Sequence, residues 1–320
     1  MTTRKLNLLL TAVFLAIVSN AIAARAQGRV YDFRDVKAPG AIQTDSYAVN
    51  QYGVIAGDYV DAHNIQHGMI LNGNQLTTFD LQGCQTTANT VGSIAAFAIN
   101  NLGTVAGWCL NANKLAIAFT YANGIFTAVA FPGASGTEAT GINDNGEVVG
   151  TYFKDRKQHG FYLIGTTYTT IDIPHIGSTT AWGVNNVGLI TLFGPNAKGT
   201  SVSYTFDGTT FKQYKVPNAG HLGTVIQTPN NNHDLLFTWF DNQNAGHGAW
   251  FHHGAYLIVK DPKGPNSTRA NGLSDALVSG RFKGQVEIVG RYSPGILDPA
   301  STPPNAGYSA IGCCRGDAPR

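Results

Sequence analysis

The sequence has few charged residues and no long hydrophobic run after its N-terminus. Only 12% of its 320 residues are Asp, Glu, Lys or Arg, against roughly 25% in an average protein. Disorder is excluded because disordered chains are poor in aromatic residues, whereas this chain has 16 Phe, 13 Tyr and 4 Trp. Helical bundles are disfavoured because Glu, Lys and Arg are scarce. Glycine is abundant, with 38 residues, and such a composition is typical of an all-β protein.

The N-terminus has the pattern of a secretory signal peptide. A basic pair at 4–5 precedes an apolar stretch over 6–18, and Ala-Arg-Ala at 24–26 fits the cleavage site of such signals. The apolar core has about 13 residues, whereas a membrane-spanning helix needs about 20. We therefore predict a signal peptide at 1–26 and a secreted mature chain that is periplasmic, extracellular or attached to the cell surface.

The mature chain gives little indication of its partner. Removal of the signal takes away three basic residues and no acidic one, so the remainder is nearly neutral. No basic patch predicts nucleic-acid binding, and no later segment is apolar enough to span a membrane. Cofactor and catalytic motifs such as the P-loop or the nucleophile elbow are absent from the sequence, so no cofactor is predicted. The predicted partner is a glycan, a small polar ligand or another extracellular protein.

A repeat of six copies runs through the chain. The clearest copy reads GINDNGEVVGTY at 141–152, HGFYL at 159–163 and YTTIDIP at 168–174. The copies share an anchor position, which is Asn50, Asn100, Asn143, Asn185, Asn230 and Ser274. Intervals of 42 to 50 residues between anchors are typical of a propeller blade with four antiparallel strands. The first strand ends at the Asn, and the second, third and fourth are the segments V-V-G-x-Y, H-G-F-Y-L and T-T-I-D-I-P. The proline ends the fourth strand because it cannot donate to a sheet.

The anchor asparagines predict type I turns between the first two strands of each unit. Asn143 stands at the first position of such a turn and Gly146 at the fourth, and three other copies repeat this pair. A ring of asparagine ligands is the alternative, although a hairpin turn accounts for all of them.

These patterns predict an all-β fold, a six-bladed β-propeller of four-stranded antiparallel blades at 27–292. Residues 30–39 match a fourth strand without the first three, and 270–292 supply three strands without a fourth. We therefore expect the N-terminal strand to complete the last blade, which leaves no free sheet edge at the seam. An irregular C-terminal tail is predicted at 293–320.

The repeat resembles that of the HAF-repeat family of bacterial extracellular proteins, which reads G-I-N-D-x-G-x-V-V-G-x-Y, then H-G-F, then T-T-I-D-x-P-G. The copy at 141–174 matches this pattern almost throughout, the copies that begin at 48 and 98 match well, and the last three are degraded. The resemblance covers 30–292. It implies a secreted, propeller-like protein and transfers no catalytic residue.

Four cysteines in a secreted chain permit disulfides. Cys84 lies in an insertion after the first copy, and Cys109 stands where two other copies have tyrosine, so we predict a Cys84–Cys109 bridge that attaches the insertion to the next blade. For Cys313 and Cys314 the sequence leaves open a vicinal disulfide, a link between chains and free thiols.

Three histidines invite a metal interpretation. His67, His159 and His247 each begin a third strand, but in alternate blades. Such blades hold them more than about 10 Å apart, whereas zinc needs ligand nitrogens at roughly 2.0 to 2.1 Å. No metal site is therefore predicted, and each histidine is expected to bond within its own blade.

The innermost strands are where we expect a ligand, at the channel mouth. Their second and fourth positions before the anchor are nearly all small, as crowded packing requires. The third position differs from blade to blade and reads Tyr47, Phe97, Thr140, Trp182, Gln227 and Asn271. Aromatic rings with a few polar groups suit a carbohydrate or a small polar ligand. Drift on an exposed rim would produce the same variation.

The fifth position provides a catalytic alternative. It contains Asp45, Glu138 and Arg269, and strand alternation predicts that it faces the same way as the third position. Two carboxylates roughly 5 to 9.5 Å apart would suit a carbohydrate-active hydrolase or lyase in the channel. No spacing rule supports the pair, so the predicted function is a secreted, non-catalytic binding or scaffold propeller.

Overall fold

The computed structural model describes residues 31–84, 94–260, 268–278, 285–292 and 309–314. In these ranges the regular elements are twenty-four β-strands, which form six four-stranded antiparallel sheets. The prediction of an all-β propeller with four-stranded antiparallel blades is confirmed.

The strands follow the repeat along the chain. The N-terminal strand is β1 (Tyr31–Val36). Sheet 1 contains β2 (Gln43–Val49), β3 (Ile55–Val60), β4 (Gln66–Asn72) and β5 (Gln75–Phe79). Sheet 2 contains β6 (Ile94–Ile99), β7 (Val105–Leu110), β8 (Ala116–Ala122) and β9 (Ile125–Val129). Sheet 3 contains β10 (Gly136–Ile142), β11 (Val148–Lys154), β12 (Lys157–Ile164) and β13 (Thr167–Ile171).

The second half of the chain continues the same order. Sheet 4 contains β14 (Thr180–Val184), β15 (Ile190–Pro195), β16 (Ser201–Phe206) and β17 (Phe211–Tyr214). Sheet 5 contains β18 (Thr224–Pro229), β19 (Leu235–Phe240), β20 (Gly246–His252) and β21 (Ala255–Val259). The last strands are β22 (Thr268–Leu273), β23 (Glu287–Tyr292) and β24 (Ser309–Cys314).

Sheet 6 joins the two ends of the chain in the order β22, β23, β24, β1. The N-terminal strand is its outermost strand, as expected, and pairs with β24. The expected boundary at 292 and the wholly irregular tail at 293–320 are wrong, because the third strand of this sheet lies at 309–314. The described residues between 270 and 292 supply two strands, whereas three were expected. Sequence patterns missed β24 because it lacks the His-Gly pair found in β4, β12 and β20.

The first strands of the sheets surround a central channel. Each contacts the first strands of its two neighbours, and β2 contacts both β6 and β22. Apolar clusters lie between neighbouring sheets. The cluster between sheets 2 and 3, for example, joins Ala118 to Ala139 and the fully buried Phe161. Burial of one such aromatic ring contributes about 1.5 to 3 kcal/mol.

Close approach of the strands explains the glycine of the V-V-G-x-Y segment. A Cβ atom on Gly150 would lie 1.9 Å from the backbone oxygen of Glu138 in the paired first strand. Gly146 is required for a different reason, since it ends the turn after Asn143 with a φ of 77°, in the left-handed region.

The predicted disulfide is present. Cys84 and Cys109 are bridged, with their Cα atoms 5.7 Å apart, so the segment after β5 is attached to β7 of the next sheet. The rest of the insertion and the signal peptide at 1–26 lie outside the described residues. Cys313 and Cys314 end β24. In the described part of the chain, no helix is long and apolar enough to cross a membrane.

Candidate binding site

Each innermost strand is interrupted by a β-bulge at the varied third position. In sheets 1 to 4 and 6 the register shifts across a single residue, and in sheet 5 it shifts between Ile226 and Pro229. The bulged residues are the predicted ligand candidates Tyr47, Phe97, Thr140, Trp182, Gln227 and Asn271. A bulge inserts one extra residue and re-aims its side chain. The alternation of side chains between the two faces of the first strand is therefore broken at the third position. It does not predict the directions of side chains on both sides of the bulge.

Three of the six candidates meet across the channel. The ring centroids of Tyr47 and Phe97 are 4.7 Å apart, and those of Phe97 and Trp182 are 5.7 Å apart. Phe97 also stacks on Trp108 at 5.8 Å, and Trp182 lies 5.8 Å from Phe193. These five half-buried rings come from sheets 1, 2 and 4 and are called the aromatic cluster below. Because sheets 2 and 4 are not neighbours, the cluster extends over the channel at this end.

Two of the three polar candidates join sheets instead. Thr140 donates from Oγ1 to the backbone oxygen of Ala181 in sheet 4, at 2.7 Å. Asn271 donates from Nδ2 to the backbone oxygen of Ser46 in sheet 1, at 3.0 Å. Gln227 is buried. These contacts give the polar bulge residues a structural role between blades.

The three residues of the catalytic alternative have separate surroundings. Asp45 is buried and accepts a hydrogen bond from Gln43 at 2.7 Å. Arg269 is exposed and lies over the ring of Phe240 in sheet 5, 5.3 Å from its centroid. Neither of these two contacts involves Glu138.

Glu138 is a titratable group strongly affected by its surroundings. It precedes Ala139, whose cluster is covered by Trp108 of the neighbouring sheet. Within the described ranges its carboxyl group has no hydrogen-bond or ion-pair partner, and burial raises its pKa to about 7. Part of this group is protonated at neutral pH and is able to donate a hydrogen bond.

The opposite mouth of the channel is polar. The anchor asparagines form the predicted turns, as in Asn50, whose Oδ1 accepts from the N–H of Tyr52 at 3.0 Å. Their Nδ2 atoms also donate to the backbone oxygen of the next anchor, at 2.9 to 3.3 Å, from Asn50, Asn100, Asn143, Asn185 and Asn230. Each asparagine therefore stabilises its own turn and the contact with the next sheet. The turn prediction is confirmed. The sequence patterns did not reveal that the same asparagines also bond to the next sheet.

A second tier of hydrogen bonds follows one residue later. The N–H groups of Gln51, Asn101, Asp144, Asn186 and Asn231 donate to the side-chain oxygen of the equivalent residue in the next sheet, at 2.7 to 2.9 Å. This polar mouth encloses a cavity of about 70 Å³. This volume has room for a few water molecules but not for a sugar ring. In the sequence, this second tier of hydrogen bonds corresponds to the amide or carboxylate residue that follows every anchor.

Between the two mouths the channel is apolar. Six residues directly before the anchors line it: Val49, Ile99, Ile142, Val184, Pro229 and Leu273. A second cavity of about 70 Å³ lies on their other side. The aromatic cluster is therefore the part of the channel where half-buried rings are available to a ligand.

The predicted local bonding of the histidines is confirmed. His67 lies 3.0 Å from Asp80, and His159 lies 2.7 Å from Asp172. His247 lies 2.8 Å from Asp241, in the turn that precedes its strand β20.

No family model matches the chain, and a comparison with curated proteins finds no relative. Solved structures of similar fold include AofleA from Arthrobotrys oligospora, with a TM-score of 0.50 and 12% identity over 82% of this chain and 83% of that one. A protein assigned as TolB from Agrobacterium tumefaciens has a TM-score of 0.51 and 10% identity over 72% and 84% of the two chains. A fucose-specific lectin from Aleuria aurantia has a TM-score of 0.49 and 13% identity over 88% and 99%. At these identities the likeness shows the fold alone.

Proposed function

We propose that this chain is a secreted six-bladed propeller that binds a carbohydrate or another small polar ligand on the aromatic cluster, without catalysis. The observation that carries the proposal is the contact of five half-buried aromatic rings across one channel mouth. A group of partly exposed aromatic rings on a soluble protein is a common mark of a binding site. Stacking against rings suits the apolar face of a sugar.

Six blades are supported by the six sheets and by the contact of β2 with β22, which joins the first and last repeats. The pairing of β1 with β24 supports closure by the N-terminal strand. Secretion and membership of the HAF-repeat family remain proposals that rest on the sequence patterns. Secretion is tested by expressing the full chain in a bacterium and sequencing the exported protein, which should begin at Gln27.

A binding role is favoured over hydrolysis because Asp45 bonds to Gln43 of its own strand, whereas Arg269 lies over the ring of Phe240 in sheet 5. Acid and base groups must flank one scissile bond. The contacts that Asp45 and Arg269 make with Gln43 and Phe240 do not arrange them around a common ligand.

The test is a glycan array followed by isothermal titration of the selected ligand. L-fucose, the sugar named for the Aleuria aurantia lectin, is one member of the panel. We expect Trp182→Ala to weaken binding by about tenfold or more, since truncation of an aromatic anchor costs more than about 1.4 kcal/mol. Tyr52→Ala is the matched control, because Tyr52 is 52% exposed but lies in a turn at the polar mouth.

Two results contradict the proposal. The first is a protein that binds no member of the array. The second is a ligand whose affinity falls equally in Trp182→Ala and Tyr52→Ala. Turnover of a bound glycan would support the hydrolase instead.

A further inference from the structure

Three neighbouring side chains form a row across the first three strands of sheet 5. Thr224 on β18 is the register partner of Trp239 on β19, which is in turn the partner of His247 on β20. Side chains of direct partners lie on the same face of an antiparallel pair. The indole and imidazole rings are stacked, with their centroids 4.5 Å apart. These three residues are called the sheet 5 row below.

Each member of the row has a buried polar atom without a hydrogen-bond partner among the described residues. The atoms are Oγ1 of Thr224, Nε1 of Trp239 and Nδ1 of His247. Thr224 is 2% exposed and His247 is 7% exposed, so bulk solvent does not satisfy them. An unpartnered buried polar group destabilises a fold, and nearly all such groups in native proteins are bonded to protein or to ordered water.

The equivalent row of sheet 3 is fully bonded. Its members are register partners in the same order, namely Thr137, Tyr152 and His159. The hydroxyl of Thr137 accepts from the N–H of Phe131 at 3.1 Å. The hydroxyl of Tyr152 is 2.9 Å from that of Thr170. Nδ1 of His159 lies 2.7 Å from Asp172. Sheet 1 repeats all three bonds, from Thr44, Tyr59 and His67.

Sheet 5 has lost all three partners through changes in the sequence. Ile258 and Lys260 stand where sheet 3 has the threonine and aspartate partners. Val216, the counterpart of the backbone partner, precedes Thr224 by eight residues, whereas the distance in sheet 3 is six. The longer loop makes no bond to the hydroxyl. Three separate changes therefore remove the partners of one row, while its polar atoms are retained.

The donors and acceptors of the row match one kind of molecule. Nε2 of His247 is 2.8 Å from Asp241, and this hydrogen bond lowers the pKa of that carboxyl group. An ionised carboxylate only accepts, so Nε2 carries the proton and Nδ1 of the neutral imidazole is an acceptor. The indole N–H of Trp239 only donates, and the hydroxyl of Thr224 does either. Water both donates and accepts, and can therefore bond to all three.

We propose that the sheet 5 row binds ordered internal water. The water accepts from Nε1 of Trp239, donates to Nδ1 of His247 and bonds the hydroxyl of Thr224. The row lies beside the apolar cluster between sheets 4 and 5, which contains the fully buried Val216 and Phe237. Internal water makes about three hydrogen bonds to buried polar groups, and the row supplies three such groups. Water thus replaces in sheet 5 the direct bonds that the rows of sheets 1 and 3 make.

The first test is a crystal structure of the protein at a resolution of about 1.5 Å. We expect a water molecule within about 2.7 to 3.2 Å of both Nε1 of Trp239 and Nδ1 of His247. No water should contact the corresponding atoms of Tyr152 and His159, which already have partners. A sheet 5 row without water, or a direct bond from Lys260 to His247, would overturn the proposal.

The second test is Thr224→Val, which replaces the hydroxyl by a methyl group of similar size. If water bonds the hydroxyl, the variant loses a hydrogen bond and its midpoint of urea denaturation should fall. If the hydroxyl is unpartnered, its removal stabilises the fold and the midpoint should rise. Thr137→Val is the matched control and should lower the midpoint, because its hydroxyl accepts from Phe131. An equal or higher midpoint for Thr224→Val would overturn the proposal.

Discussion

Glu138→Gln should change how the stability of this protein depends on pH. Burial next to sheet 2 raises the pKa of Glu138 from 4.5 to about 7, with no partner for the ionised form among the described residues. The folded state therefore holds the proton more tightly than the unfolded state. Its contribution to stability is fully present below pH 4.5 and is lost as the pH rises through 7.

The magnitude follows from the size of the shift. One pKa unit corresponds to about 1.4 kcal/mol, so a shift of this size is worth about 3 kcal/mol at most above pH 8. Solvent contact of the half-buried side chain lowers the effect, and we expect about 1 to 3 kcal/mol. The amide in the Glu138→Gln variant cannot ionise, so the variant should gain this amount relative to the parent protein between about pH 4.5 and 8.

Urea denaturation of both proteins at a series of pH values measures the difference directly. Taking the difference removes the contributions of all other titrating groups that the substitution leaves unchanged. A difference that stays flat from about pH 4.5 to 8 would refute the reasoning, since it would mean that Glu138 titrates alike in the folded and unfolded states. A difference that falls with rising pH would mean that an undetected partner stabilises the carboxylate.

Three further changes test the fold. Replacing Cys84 and Cys109 together with Ser should lower the free energy of unfolding by about 3 kcal/mol, as the chain-entropy estimate for this loop gives, measured by denaturant melts without reductant. Asn143→Ala should cost about 2 to 4 kcal/mol, because a buried side chain that bonds its own turn and the next sheet is lost. Gly150→Ala should be at least as damaging, because its Cβ would overlap a backbone oxygen, whereas Gly177→Ala has open space and should be neutral.

Each of these expectations has a contrary result. An unchanged melt after loss of the disulfide would mean that the bridge does not restrict the unfolded chain. If Asn143→Ala left the free energy of unfolding unchanged, the hydrogen bonds of the polar mouth would not stabilise the fold. Equal stability of the two glycine variants would contradict the close strand contact in sheet 3.

The repeat pattern was sufficient to predict the blades because each blade is encoded locally. Turn residues, alternating apolar positions and a terminal proline specify four strands without information from the rest of the chain. The third strand of sheet 6 escaped prediction because it is separated from β23 in sequence and has no motif. Its position depends on pairing with β1, which is a long-range contact.

The site was predicted in part for a similar reason. Counting back from the anchors found Tyr47, Phe97 and Trp182, which meet in space. This counting could not show that Trp108 and Phe193, on second strands, join these three rings. Nor could it show that Thr140 and Asn271 bond to neighbouring sheets. The bulge that decides these directions arises from strand packing around the channel and has no residue signature of its own.

A crystal structure of the protein with the glycan selected on the array tests the central claim most directly. We predict that the sugar lies against Trp182 and Phe97 at the aromatic mouth, with its polar groups within hydrogen-bond reach of neighbouring side chains. A sugar bound at the polar mouth, or on the outer edge of a blade away from the aromatic cluster, would contradict the account.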